Sequence, residues 1–109
     1  MTNTVNAQEH AVVIFEDSRE GSLYKVTSCR LLAQKYDSVF FRNFTGVKVK
    51  VQFQGPSPFD ADTFELVPGE EDTKPVASGV SPGAYPYDAL CGPQQVPAEG
   101  SRPIIIIYK

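Results

Sequence analysis

The chain is poor in the side chains on which most protein chemistry depends. Of its 109 residues one is histidine, His10, one is methionine, Met1, and two are cysteines, Cys29 and Cys91. A Ser-His-Asp or Cys-His arrangement would therefore have to use His10. No Cys/His spacing suits zinc, and there is neither a phosphate-binding glycine loop nor a dinucleotide fingerprint. Asp60, Asp62 and Glu65 lie close in sequence, but three acids around a loop more often serve solvation than acid-base work. No catalytic site is expected, and the chain reads as a non-enzyme. Basic residues are scattered and the formal charge is -3, which argues against a nucleic-acid partner, since phosphate binding depends on clustered Lys and Arg.

Long apolar runs are missing too. I-I-I-I at 104–107 is only four residues long, far from the roughly 18 of a membrane helix, so no membrane insertion is expected. The opening M-T-N-T-V-N-A-Q-E-H has no basic start and no apolar core, and no signal peptide is expected in it. Residues 1–10 read as a flexible polar arm, with His10 solvated on it, and 11–109 as one domain.

What is present is strand chemistry. Aromatic and β-branched residues are plentiful, Pro and Gly are frequent, and no window shows a clean 3.6-residue apolar period. Short apolar segments separated by turn signals predict an all-β sandwich or small barrel. The expected strands are Ala11 to Phe15, Leu23 to Thr27 with Cys29 to Leu32 continuing it or turning from it, Val39 to Arg42, Val47 to Phe53, Phe64 to Val67, Lys74 to Val80 as strand or extended loop, and the segments leading to Cys91 and closing the chain. Gly21 suits a tight reversal after the first of them. In the fourth, Val47, Val49, Val51 and Phe53 share one face while Lys48, Lys50 and Gln52 take the other. Tyr85 and Tyr87 share a face as core or rim packing, and Pro86 between them is expected where a strand edge or bulge leaves its missing amide unneeded.

Several residues carry alternatives. Cys91 reads as a buried small hydrophobe, as a disulfide partner of Cys29, or as a metal or redox ligand. Glu70, Glu71 and Asp72 read as a soluble turn or as a docking patch for a basic partner. Of the four isoleucines at 104–107, only two can face a core. Ile105 and Ile107 are expected to form the outward stripe and to contribute to a self-association or protein-partner surface.

Three segments in order, V-V-I-F with an acidic turn and G-S-L-Y, then V-F-F-R-N-F-T-G-V-K-V-K-V-Q-F, then P-G-A-Y-P-Y-D-A-L-C-G-P-Q, resemble the cupredoxins, the Greek-key β-sandwiches of the blue-copper carriers. The resemblance implies a cupredoxin-like Greek-key β-sandwich. Blue-copper chemistry needs two imidazoles, a thiolate and a weak axial thioether. By resemblance the first imidazole position falls at Val49, the C-x-P-H loop at Cys91-Gly92-Pro93-Gln94, and the thioether position near Glu99. Only Cys91 keeps a ligand side chain. R-P-I-I-I-I and Y-P-Y are similar to the endings of copper-free cupredoxin-like domains. The resemblance therefore implies a copper-free binding or assembly module without a cofactor. The alternative is a metal-binding or electron-transfer protein with an atypical copper site at Cys91. The rim loops 43–46, 55–62 and 91–99 are the expected contact surface. Family likeness points to the periplasm or cell exterior, while the lack of a leader points the other way.

Overall fold

Alternation of apolar and polar side chains passes directly from sequence to strand. The computed structural model describes residues 7–17, 23–27, 29–98 and 103–108. Ten strands follow in order: β1 Glu9–Asp17, β2 Leu23–Val26, β3 Arg30–Ala33, β4 Ser38–Phe44, β5 Val49–Phe53, β6 Thr63–Leu66, β7 Glu71–Pro75, β8 Gly83–Cys91, β9 Val96–Pro97 and β10 Ile104–Ile107. On β5, Val49, Val51 and Phe53 are buried while Lys50 and Gln52 lie between the core and solvent. The Gly21 reversal lies outside the described residues.

The strands form two sheets, β2-β1-β4-β7 and β3-β10-β8-β5-β6, with β9 added to β8. β1 runs parallel to β4, and β3 parallel to β10. The architecture is the expected all-β sandwich. Its buried interior gathers Val12 and Ile14 from β1, Val39 and Phe41 from β4, and the inward residues of β5, β6, β8 and β10. Phe41 meets Phe64 and Tyr87 edge-on, at centroid distances of 5.0 and 6.1 Å. Such edge-to-face pairs add to area burial because ring edges and faces carry opposite partial charge.

Register defines two ends. Val49 faces Cys91 across β5 and β8, and Phe53 faces Tyr87 four residues further along. We call the Val49 and Cys91 level the upper end. The lower end is where β5 finishes and β4 and β8 begin. Pro86 fits as expected. Tyr87 donates its amide to Pro103, so the position of Pro86 faces away from β10, where β5 pairing starts only at Tyr87.

Three expectations are corrected here. Ile105 and Ile107 are not the outward stripe: they are 0% and 1% exposed. They sit opposite Tyr85 and Gly83 on β8. Residues directly opposite in an antiparallel pair share a face, so the inward parity of Tyr85 and Tyr87 turns Ile105 and Ile107 inward too. The half-buried pair is Ile104 and Ile106. His10 is not a solvated arm residue. It lies on β1, which begins at Glu9, and its Nε2 sits 2.8 Å from Asp37 Oδ2. The loop 55–62 is not part of an open rim beside the other two. It follows β5 at the lower end, where Pro58 and Phe59 are buried and Phe59 packs edge-on against Phe41 and Phe53. Ala77 donates to Pro58 O at 2.8 Å, holding the plug in place.

Candidate functional site

At the upper end, Asn43 organises the local chain. It continues the inward phase of Val39 and Phe41 and is 0% exposed. An amide buried there must spend all its hydrogen-bonding capacity on neighbours. Its Nδ2 donates to Val47 O at 2.7 Å and Leu66 O at 2.9 Å. Its Oδ1 accepts from the Thr45 amide at 2.9 Å and the Thr45 hydroxyl at 2.7 Å. These bonds shape the turn from β4 into β5 and lock it to the end of β6. That turn delivers Val49 opposite Cys91 across β5 and β8.

Their chemistry differs from that of a ligand pair. Val49 is fully buried and offers no donor atom. The Cys91 thiol is 1% exposed and lies 3.8 Å from Ala89 O. Burial, reinforced by the charge of Glu16, pushes the thiol up to about 11. It stays protonated at neutral pH, whereas the thiolate is the metal ligand and nucleophile. Val47 and Ala98 pack against the core beside them.

The segment after Cys91 turns into a hairpin. Gly92 and Gln95 take φ of 78° and 53°, the left-handed conformation that closes a short reversal and suits glycine best. Gln95 donates to Gly92 O at 3.0 Å, and Gly92 donates to Lys48 O at 2.8 Å. β9 then returns along β8, with Val96 opposite Cys91 and Pro97 opposite Leu90. Gln94 is thereby exposed in the turn, apart from the buried Val49 and Cys91. Glu99 lies outside the described residues.

Neither cysteine forms a disulfide. Cys29 O accepts from the Ile104 amide, which sets Cys29 level with Pro103 and Tyr87. Tyr87 lies four residues along β8 from Cys91, about 13 Å at the strand rise, well beyond the roughly 7 Å limit for bridging Cα atoms.

The other charged residues also have local duties. Glu71 pairs with Arg42 at 2.6 Å, Asp72 with Lys74 at 3.0 Å, and Glu70 accepts from the Val67 amide at 2.8 Å. Asp60 and Asp62 are exposed near the lower end, while Glu65 faces outward on β6. Among the described residues, no three His, Cys, Asp or Glu side chains come together as a metal-holding group.

A groove of about 300 Å³ lies against the hairpin on the outer face of the second sheet. Lys48, Lys50 and Glu65 line it with Leu90, Pro93 and Gln95. It is separated from Val49 and Cys91 by the sheet itself, because neighbouring strand residues point to opposite faces. At the same end Phe44, Val67 and Val96 are exposed, by 64%, 52% and 41%.

No family model matches the chain, and no curated protein does. Solved structures do. A purple cupredoxin from Nitrosopumilus maritimus superposes with a TM-score of 0.59 at 14% identity, over 91% of this chain and 99% of that one. The chain has the cupredoxin fold. Pseudoazurin from Methylobacterium extorquens AM1 follows at 0.57 and 19% identity, over 93% of this chain and 76% of its own. A Cu-containing nitrite reductase from Thermus scotoductus reaches 0.56 at 19% identity, with 91% of this chain matching 22% of that larger one.

Within this cupredoxin frame the residues present do not fit a blue-copper ion. At the position the resemblance sets for the first imidazole stands a buried valine, the Cys91 thiol is protonated, and Gln94, at the position it sets for the second, lies in an exposed turn. The missed features have different visibility in the sequence. Asn43 was legible, as a polar residue in phase with apolar ones. β9 was not, because two residues, Val-Pro, carry no period.

Proposed function

We propose that the chain is a copper-free cupredoxin-like binding or assembly module with no catalytic activity, meeting a protein partner or a second copy through its upper end. Val49 carries this reading. A branched aliphatic side chain with 0% exposure, opposite Cys91, stands where the resemblance to copper cupredoxins would call for an imidazole. The exposed apolar side chains of Phe44, Val67 and Val96 at the same end supply contact area of the kind that buries well against a partner. The family likeness favours the periplasm or cell exterior as its compartment.

The rival reading is a metal-binding or electron-transfer protein with an atypical site at Cys91. Its support is the copper named for the nitrite reductase of matching fold. A copper titration of freshly reduced protein, followed by visible absorbance and melting temperature together, separates the two. The module reading expects no thiolate band and no rise in melting temperature. An equimolar coloured complex that melts higher, and that loses its colour in Cys91→Ser, would overturn it.

A further inference from the structure

The groove beside the hairpin has a chemistry of its own. Lys50 stands at its centre, with Glu65 opposite it on β6 and Leu90 opposite it on β8. Lys48 lies one outward step further along, and its ammonium is 3.8 Å from the Glu65 carboxylate. The lining therefore holds two cations and one anion. The Lys48 contact to Glu65 is an exposed pair, and among the described residues no ion pair holds Lys50. The next acid on this face, Asp88, is engaged by the Gln54 amide at 3.0 Å. Leu90 gives the groove an apolar side, and the Pro93 ring, fixed by the turn at Gly92 and Gln95, gives it a wall. A half-buried lysine next to apolar surface is matched by a ligand with a carboxylate at one end and a short hydrocarbon at the other.

We propose that this groove binds small monocarboxylates with an apolar tail, the carboxylate on Lys50 and the tail over Leu90 and Pro93. This goes beyond the module reading, adding a small-ligand site at the end where that reading sets a protein contact. Both arms of the interaction are needed, because an exposed ion pair alone is weak.

The test is a titration of the full-length, isotopically labelled chain with sodium hexanoate, followed by amide NMR shifts. The proposal expects saturable shifts at Lys50, Leu90, Gly92 and Gln95. Lys50→Met, which keeps the stem and removes the charge, should weaken binding roughly two- to fivefold, the range an exposed pair supplies. 1-Hexanol should bind more weakly than hexanoate by a similar factor. Absence of saturable shifts overturns the proposal, and so does unchanged affinity in Lys50→Met. Equal binding of hexanol would show an apolar groove with no selection for carboxylate, and also overturns it. Copper bound at Cys91 would sink the module reading whatever hexanoate does. Failure of hexanoate alone would leave that reading standing.

Discussion

The two ends of the sandwich are each tied together by one buried polar side chain, and the two differ in charge. At the upper end Asn43, a neutral amide, makes four hydrogen bonds within the β4–β5 turn and to β6. At the lower end Asp37, 3% exposed, accepts from the Gln8 amide at 3.0 Å, the Gln34 amide at 2.9 Å and the His10 ring at 2.8 Å. It thereby joins the start of β1 to the β3–β4 turn. Burial works to raise the Asp37 pKa, but the hydrogen bonds from His10 and the two amides, with the His10 charge, outweigh it and leave the carboxyl below its ordinary 3.8. One knot is indifferent to pH and the other is not. The only histidine in the chain therefore belongs to a structural joint, at the end opposite the one where metal chemistry was sought.

The largest expected effect comes from removing the upper knot. Asn43→Ala takes the side-chain partner from Leu66 O and the Thr45 amide and leaves Val47 O only the Thr45 hydroxyl at 3.0 Å, and buried polar groups stripped in this way should cost about 4 kcal/mol in total. Urea unfolding at pH 7 measures it. Asn43→Asp would break the contrast between the ends by pointing a carboxyl oxygen at two carbonyls. Its protonated form is then favoured in the fold, so the pKa rises and the variant should lose stability as pH climbs above the unfolded carboxylate value.

Next comes an apolar reference. Ile105→Thr removes core volume and buries a hydroxyl, for about 3 kcal/mol, while Ile104→Thr on the outer face should cost about 0.5 kcal/mol. The difference between these variants should stay flat with pH. Equal effects would mean that the strand parity described above is wrong.

Asp37→Asn sharpens the comparison most directly. A hydrogen-bonded buried charge is worth about 2 kcal/mol, and the variant should be less stable by that amount at pH 7. Because the folded pKa is depressed, this contribution is fully present above the unfolded value and is lost as pH falls through the folded one. Unfolding curves of wild type and Asp37→Asn should therefore draw together in acid, below the ordinary 3.8. A gap that persists at the lowest pH would remove the charge from the account.

The smallest effect concerns Tyr87, opposite the last residue of β5. Among the described residues, the Tyr87 hydroxyl has no hydrogen-bond partner, and burial, followed by the charge of Cys29, pushes its ionisation upward. Deleting an unsatisfied buried hydroxyl is neutral or favourable, so Tyr87→Phe should melt at the wild-type temperature or be up to about 1 kcal/mol more stable. Destabilisation would reveal a partner for that hydroxyl.

Much of this molecule was determined by the sequence alone. Alternation at residues 47–53 placed Val49, Val51 and Phe53 inward, while the resemblance of three segments to the cupredoxins implied ligand positions at Val49 and Cys91. The alternation follows from the period-two geometry of a strand, which is local; the ligand positions came from likeness to a family, not from geometry. The tertiary structure decided the rest. Four identical isoleucines contain no alternation, so only pairing with β8 could choose which two face inward. The residues 55–62 read as a rim loop because Phe59 finds its aromatic partners on other strands. His10 read as solvated because Asp37 lies 27 residues away in sequence. The groove needs side chains from three strands, β5, β6 and β8, and a hairpin whose return strand has no pattern of its own. Such features depend on which strand lies next to which, and that is settled only when the two sheets close over a common core.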